Sequence, residues 1–380
     1  MSVSPADSIT AAKSSLRKTP LNPYTIVSRG LGLLKEHVTL SIDAMGGDNA
    51  PRVVVAGIDI ARKRLPGVEF LLFGDQSHLE LLFAAHPKTR GICEVRHTTD
   101  VVTNDAKAGM ALRSGRNSSM RLAINAVGEG EAAGIVSAGN TGALMAMAKF
   151  VLKTLPGIDR PAIAAYFPTM RGDSVMLDLG ANVDCDADNL VQFAVMGEVF
   201  TRHVLGLEQP SIGILNIGAE DLKGNEAVKK ASATLQASPL PIKFHGFIEG
   251  DDIGAGIVDV VVTDGFTGNV ALKTAEGTAN LFKHFLRLSL NESLMTRLAA
   301  LLAKPALETF RARLDPRRYN GAMFVGLNGI CVKSHGGTDE LGFAHAIDVA
   351  VNLITRGFNE KIKEDLGHLA DESAEAKAAL

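Results

Sequence analysis

Residues 258–277 read VDVVVTDGFTGNVALKTAEG. The first six are a nearly unbroken β-branched run, Asp264-Gly265 is a turn signal, and a helical pattern follows. The same grammar recurs along the chain. Apolar runs at 38–42 (VTLSI), 69–73 (EFLLF), 134–137 (GIVS), 174–179 (SVMLDL) and 212–216 (IGILN) are each followed by glycine, at Gly46-Gly47, Gly74, Gly139-Asn140-Thr141-Gly142, Gly180-Ala181-Asn182 and Gly218. Runs of Val, Ile and Leu without polar alternation imply strands buried on both faces. Strands alternating with helices imply a mostly parallel sheet between helical layers, an α/β/α sandwich. In such sheets ligands bind beyond the carboxyl ends of the strands, which predicts the glycine turns at one edge of one sheet.

The chain has 380 residues, 46% hydrophobic and 21% charged, with mean hydropathy +0.14 and a pI of about 6.4. This is too apolar for a disordered chain and sufficient for a large core. A net charge of −3 excludes a global basic field for nucleic acid. Cys93, Cys185 and Cys331 are far apart and form no CxxC, so neither a disulfide framework nor a cysteine zinc site is expected. A reducing compartment, the cytoplasm, fits best. No uncharged apolar run approaches the ~18 residues of a membrane span.

Three segments stand apart. Residues 1–36 carry Lys13, Arg17, Lys18, Arg29 and Lys35 against Asp7 and Glu36. The pattern loosely resembles a transit peptide, but a disordered extension or a start codon assigned too early is the plainer reading. Residues 37–365 form the catalytic domain, and 366–380 read as a polar, alanine-rich tail. Within the domain, 279–318 lacks any strand signal and reads as a protruding helical hairpin. Leu294, Leu298, Leu301 and Leu302 fall at helical spacing and Pro305 breaks or restarts the helix. Eight Lys/Arg face three acids in this segment, so the basic charge is local.

Several motifs fail. A nucleophile elbow around Ser137 has Ile135 where the first glycine belongs. A relaxed dinucleotide fingerprint at Gly128, Gly130 and Ala133 precedes its strand instead of following it. Asp184-Cys185-Asp186-Ala187-Asp188 opens like a calcium loop but has Asn189 at the sixth position and Val195 at the twelfth. Asp186 or Asp188 is expected instead to cap the helix beginning near Leu190.

What remains is six glycine turns bearing amides, acids and lysines: DAMGGD (43–48), SAGNTGA (137–143), DLGANVD (178–184), NIGAEDLKGNE (216–226), DGFTGN (264–269) and KSHGG (333–337). Glycine lets backbone N–H groups approach an anion, and a helix N-terminus adds positive potential. Lys223 and Lys273 supply full charges. Together the turns predict a phosphate or acyl-phosphate site. A lone histidine such as His335 is more often structural.

Taken in order, IDAMGGDNAP, LRSGRNSSM (112–120), IVSAGNTGALMA, LDLGANVDCDADNLVQFAVMG, NIGAEDLKGNE, VDVVVTDGFTGNVALKTAEG and GLNGICVKSHGG resemble the PlsX family of phosphate acyltransferases, over roughly residues 37–350. HGGTDE departs from the more usual serine-bearing version and leaves the role of Thr338 open. The resemblance implies a fold akin to phosphotransacetylases and isopropylmalate dehydrogenases. It implies transfer of a long acyl chain from acyl carrier protein to inorganic phosphate, a step of bacterial phospholipid synthesis. It further implies a homodimer at the membrane periphery, contact with the next acyltransferase of the pathway, and no metal or organic cofactor. On this reading Lys223 binds phosphate, Asn269 orients phosphate or donates to the oxyanion, and Gly139, Asn140 and Thr141 form an anion cradle with Lys273. Asp178, Asn182 and Asp264 position these groups, and His335 protonates the thiolate or binds phosphate. Phosphate attacks the thioester directly, so an acyl-cysteine at Cys185 is not required. The rivals are a short-chain acyl-CoA phosphotransacetylase, a metal- and NAD-dependent dehydrogenase and a non-catalytic lipid-binding protein.

Overall fold

The computed structural model describes residues 37–238, 240–313 and 315–365; the expectations for 1–36 and 366–380 lie outside them. Eleven strands form one sheet: β1 (Val38–Asp43), β2 (Val68–Gly74), β3 (Cys93–His97), β4 (Gly134–Ser137), β5 (Ala162–Thr169), β6 (Gly172–Leu177), β7 (Ser211–Leu215), β8 (Lys243–Ile248), β9 (Val260–Val262), β10 (Ala322–Val325) and β11 (Ile330–Lys333), in the order β3-β2-β1-β4-β11-β10-β5-β6-β9-β7-β8. The helices are α1 (Arg52–Ala61), α2 (Gln76–Phe83), α3 (Pro87–Arg90), α4 (Ala108–Ser114), α5 (Ser119–Gly128), α6 (Thr141–Leu152) and α7 (Ala187–Leu205). They continue with α8 (Glu226–Ala237), α9 (Gly250–Ala255), α10 (Gly265–Asn291), α11 (Leu294–Leu302), α12 (Lys304–Arg313) and α13 (Glu340–Thr355).

Alternate strand residues enter two separate cores. Val136, Val175, Leu177, Val260, Val262 and Val332 pack with α1, α7, α8 and α13 on one face. Ile135, Met176, Val261 and Cys331 pack with α4, α5 and α6 on the other. The unbroken apolar runs arise because neither face of a central strand meets water. Asp186 caps α7, its carboxylate accepting the Asn189 N–H at 2.8 Å, as the sequence predicts.

The expectation of a single edge is corrected. β3, β2, β1, β4 and β11 run parallel, and so do β6, β9, β7 and β8. Between them, β11 to β10, β10 to β5 and β5 to β6 are antiparallel. Three reversals turn the second block against the first. The six glycine turns therefore divide into two sets of three, after β1, β4 and β11 and after β6, β7 and β9, leaving the ladder in opposite directions.

The hairpin also differs from expectation. α10 starts at Gly265, 14 residues before the expected boundary, and runs unbroken to Asn291. The chain breaks again at Ala303, and Pro305 lies in the first turn of α12, where its missing N–H is harmless. Phe282 and Phe310 approach with ring centroids 5.7 Å apart, folding α12 back on α10. Leu281, Phe285, Leu288, Leu294, Leu298, Leu301 and Leu302 are all more than half exposed.

Where α10 begins, its backbone rests directly on the turn after β6. The Gly265 N–H donates to the Asn182 carbonyl at 2.7 Å. A Cβ at Gly268 would overlap the Asp178 carbonyl oxygen and lie 2.8 Å from Thr263 Cγ2. Gly268→Ala must push α10 off this turn. We expect a loss of about 1–3 kcal/mol, typical of overpacking, read as a lower midpoint in urea unfolding with an unchanged slope.

Candidate anion site between two sets of glycine turns

The first set closes around Asp43, the last residue of β1. Its carboxylate is buried and accepts the hydroxyls of Ser119 at 2.6 Å and Ser137 at 2.7 Å. Burial pushes its pKa up, against the lowering effect of those bonds. Ser137 Oγ in turn accepts the Gly139 N–H at 3.1 Å. The hydroxyl is thus spent on structure, in keeping with the rejected elbow. Asp48 N–H donates to the Gly336 carbonyl at 2.9 Å and Ser334 N–H to the Ser137 carbonyl at 2.9 Å, so all three turns interlock.

Asn140 caps α6 by accepting the Ala143 N–H at 2.9 Å, and its Nδ2 donates to the carbonyls of Asn104 at 2.8 Å and Ala106 at 3.0 Å. Its amide is therefore engaged in holding loop 103–106, and Thr141 opens the helix behind it. Lys333, which the sequence reading passed over, ends β11. Its Nζ donates to the Ala138 carbonyl at 3.3 Å and to the Ser334 carbonyl. Burial pushes its pKa down to about 8, while Asp43 and Asp48 oppose the shift.

Asp178 organises the second set. Its carboxylate accepts the N–H groups of Ile163 (2.9 Å), Gly180 (3.2 Å), Ala181 (3.0 Å) and Asn182 (2.7 Å), and the Asn182 amide at 2.9 Å. Desolvation still raises its pKa. Asn182 Nδ2 also donates to the Pro161 carbonyl at 2.8 Å. Asp264 caps α10, accepting the N–H and hydroxyl of Thr267 at 2.8 and 2.7 Å. Asn269, one turn on, is exposed and lies beside Gly180, whose φ of +123° and missing side chain leave the approach open. Cys185 Sγ donates to the Asn182 carbonyl at 3.6 Å, and burial pushes the thiol up to about 12.

α10 carries the second set to the first. Lys273, two turns beyond the α10 N-terminus, ion-pairs with Glu276 at 2.7 Å and stands 3.4 Å from His335 Nε2. The Gly337 N–H donates to His335 Nδ1 at 3.2 Å, which places the proton of the neutral ring on Nε2. Two donors, Nε2–H and the Lys273 ammonium, therefore meet without an acceptor between them. Partial desolvation, then the Lys273 charge, lowers the His335 pKa. Asn320 Oδ1 accepts the His335 N–H at 2.8 Å, and Asn320 Nδ2 donates to Ser334 Oγ, Thr338 Oγ1 and the Gly342 carbonyl. Thr338 thus belongs to the support behind His335.

Lys223 stands apart. It lies on the exposed loop after β7, its N–H donating to the Glu220 carbonyl at 2.9 Å and its carbonyl accepting from Asn216 Nδ2 at 3.1 Å. Among the described residues no ion pair or hydrogen bond joins its ammonium to Asn269, Lys273 or His335. Sequence reasoning missed Asp43, Ser119 and Lys333. The available signal was a charged residue closing an otherwise apolar strand, at Asp43 and again at Lys333.

Comparison with known proteins bears on what this arrangement serves. The family model described as "Fatty acid synthesis protein" matches residues 38–361. A phosphate acyltransferase of Rhodospirillum centenum is 61% identical over 336 residues, 88% of this chain and 95% of the relative. One of Paramagnetospirillum magneticum is 61% identical over 332 residues, 87% of this chain and 95% of that one. A phosphotransacetylase from Streptococcus pyogenes shares the fold with TM-score 0.58 at 16% identity, over 87% of this chain and 98% of its own. The chain belongs to the fatty acid synthesis protein family, the PlsX family, and is an acyltransferase enzyme.

Proposed function

We propose that the protein transfers the acyl group of a long-chain acyl-[acyl carrier protein] to inorganic phosphate, giving acyl phosphate and free carrier protein. The observation that carries this reading is the pairing of His335 Nε2 with Lys273 Nζ at 3.4 Å, a donor pair suited to a tetrahedral oxyanion, in a site whose hydroxyl and thiol are both committed elsewhere. A phosphate oxygen attacks the thioester carbonyl, and the tetrahedral intermediate collapses with cleavage of the C–S bond. The thiol, with an ordinary pKa near 8.5, leaves as thiolate and takes up the proton that hydrogen phosphate loses on forming the acyl phosphate, passed through water or through His335 in its imidazolium form.

Phosphate near neutral pH is already a charged nucleophile, so the protein supplies positioning and electrostatics. In this reading Gly139, Asn140 and Thr141 frame the anion, and Lys273 and His335 bind it. Asn269 donates to the oxyanion, and Lys223 closes from its loop. Asp178, Asn182 and Asp264 hold the second set in place.

The basic, leucine-faced arm of α10–α12 favours a membrane-associated, long-chain substrate over short acyl-CoA. On this reading the protein is a cytoplasmic homodimer packed through the base of the arm, in peripheral contact with phospholipid and with the next acyltransferase, and the arm's exposed leucines and basic charge support the membrane contact. Among the described residues no helix is long and apolar enough to cross a membrane.

Incubation with palmitoyl-carrier protein and phosphate, followed by hydroxylamine trapping, tests the reaction. Acyl hydroxamate that requires phosphate supports it; greater turnover of acetyl-CoA supports the short-chain alternative. Lys223→Ala is expected to lower activity about tenfold to a hundredfold while the fold is kept. Asn269→Ala is expected to lower turnover about a hundredfold to a thousandfold; a rise confined to the Michaelis constant for phosphate would make it a binding residue. Lys273→Met is expected to raise the His335 pKa, followed by NMR titration of its ring, because a neighbouring cation is lost and Glu276 is released. Replacing Leu298 and Leu301 with Glu separates two uses of the arm. A folded active dimer that no longer binds anionic vesicles places the leucines at lipid, and a dissociated or aggregated protein places them in the dimer core.

A further inference from the structure

We propose that Lys333 is a positioning residue of the anion site, its ammonium binding the Ala138 and Ser334 carbonyls together and so setting the spacing of the SAGNTGA and SHGG turns. The proposal rests on the phosphate acyltransfer reading and adds a residue to it.

The two carbonyls lie at the ends of different strands: Ala138 is 195 residues from Lys333 in sequence, and Ser334 is its neighbour. Each directly precedes a residue facing the site: Ala138 precedes Gly139, and Ser334 precedes His335. The Ala138 peptide also carries the N–H that Ser137 Oγ accepts from Gly139, and His335 is fixed from behind by Asn320. The Lys333 ammonium thus adds a side-chain tie between these two turns to the backbone bond from the Ser334 N–H to the Ser137 carbonyl. A uniform apolar side chain at this strand end would leave both carbonyls without that donor, and buried carbonyls are costly to leave unpaired.

The charge matters as well as the hydrogen bonds. Asp43 from β1 and Asp48 from the turn after it favour the ammonium, while Cys331 on the same strand is a buried thiol that stays protonated and adds no charge. Lys273 from α10 opposes the ammonium, as does any charge on His335, whose own pKa Lys333 lowers. Glu276 pairs with Lys273 and moderates that opposition. Burial pushes the Lys333 pKa down to about 8, so the ammonium is present at pH 7 and is lost as the pH rises through the alkaline range. A guanidinium does not titrate in this range, so Lys333→Arg keeps a charge where the wild type loses one.

The test is inorganic phosphate binding by calorimetry at pH 7.0 and pH 9.5, on the full chain, with far-UV circular dichroism to check folding. Phosphate itself is almost fully dianionic at the higher pH and gains charge between the two, so its own ionisation does not predict weaker binding. The wild type is expected to lose tenfold or more in affinity at pH 9.5. Lys333→Met is expected to bind about tenfold to a hundredfold more weakly at pH 7.0 and to show little further change. Lys333→Gln replaces it should that variant not fold. Lys333→Arg is expected to restore binding in part and to flatten the pH dependence. Wild-type affinity in the uncharged variant, a wild-type alkaline loss retained by Lys333→Arg, or no phosphate binding by the wild type would each overturn the proposal. Hydroxylamine trapping on the wild type keeps the two readings apart. A protein that binds phosphate in the expected pattern yet forms no acyl phosphate loses the acyl-transfer reading and keeps this one. A wild type that forms acyl phosphate, with an uncharged variant of unaltered phosphate Michaelis constant, does the reverse.

Discussion

Asp43 and Asp178 impose the constraint from which the rest of the site follows. Each is a carboxylate buried at the carboxyl end of a central strand. A carboxylate removed from water costs several kcal/mol unless donors surround it. The chain meets that demand by bending its own turns inward. Around Asp178 four backbone N–H groups and one amide converge. Around Asp43 two serine hydroxyls do so, drawn from α5 and β4. The glycines are there because donors can crowd a carboxylate only where no side chain intervenes, as at Gly46, whose added Cβ would press on the Asp43 carboxylate and lie 2.8 Å from the Gly139 nitrogen. The turns are therefore rigid before any ligand arrives, which is what electrostatic preorganisation requires.

Much of this was legible in the sequence. The central strands announce themselves because burial on both faces demands continuous apolar residues, and all six glycine turns fall at strand ends. What escaped has specific causes. β3 and β8 are edge strands, and CEVRH and KFHGFI alternate or mix polar residues because one side meets water. β10 and β11 have four residues each, too few for a periodicity. Those short strands, with β5, create the three antiparallel steps, so missing them hid the reversal of the second block. The role of Lys333 was hidden for another reason: its partner Ala138 lies 195 residues away in sequence, and a lysine after an apolar run reads as the strand simply ending. Asp264, Asp178 and Asn182 were read as positioning residues; their side chains bond the backbone of the turns and of α10.

The reversal has a structural consequence. With the two blocks opposed, the strand ends of the two sets point in opposite directions, and α10 joins them, with Ala271 and Leu272 packed against the core and Lys273 beside His335. Eight residues span about 12 Å, enough to bring Lys273 to His335. The same helix continues past the sheet into the exposed arm.

The absence of an activated nucleophile fits the chemistry of the pieces present. Cys185 is held protonated by burial, with Asp178 and Asp264 adding to the effect, and Ser137 is bonded on both sides of its oxygen. Neither is prepared to attack a carbonyl. On the proposed reading, the Lys273 ammonium and the His335 Nε2–H hold a group that already carries charge. A covalent acyl-enzyme would need a strong base beside a hydroxyl or thiol, whereas a bound phosphate dianion needs only desolvation and direction. On the proposed reading, turns held by two buried carboxylates and bridged by one helix supply both, and selectivity would lie in which anion the spacing of the turns accepts.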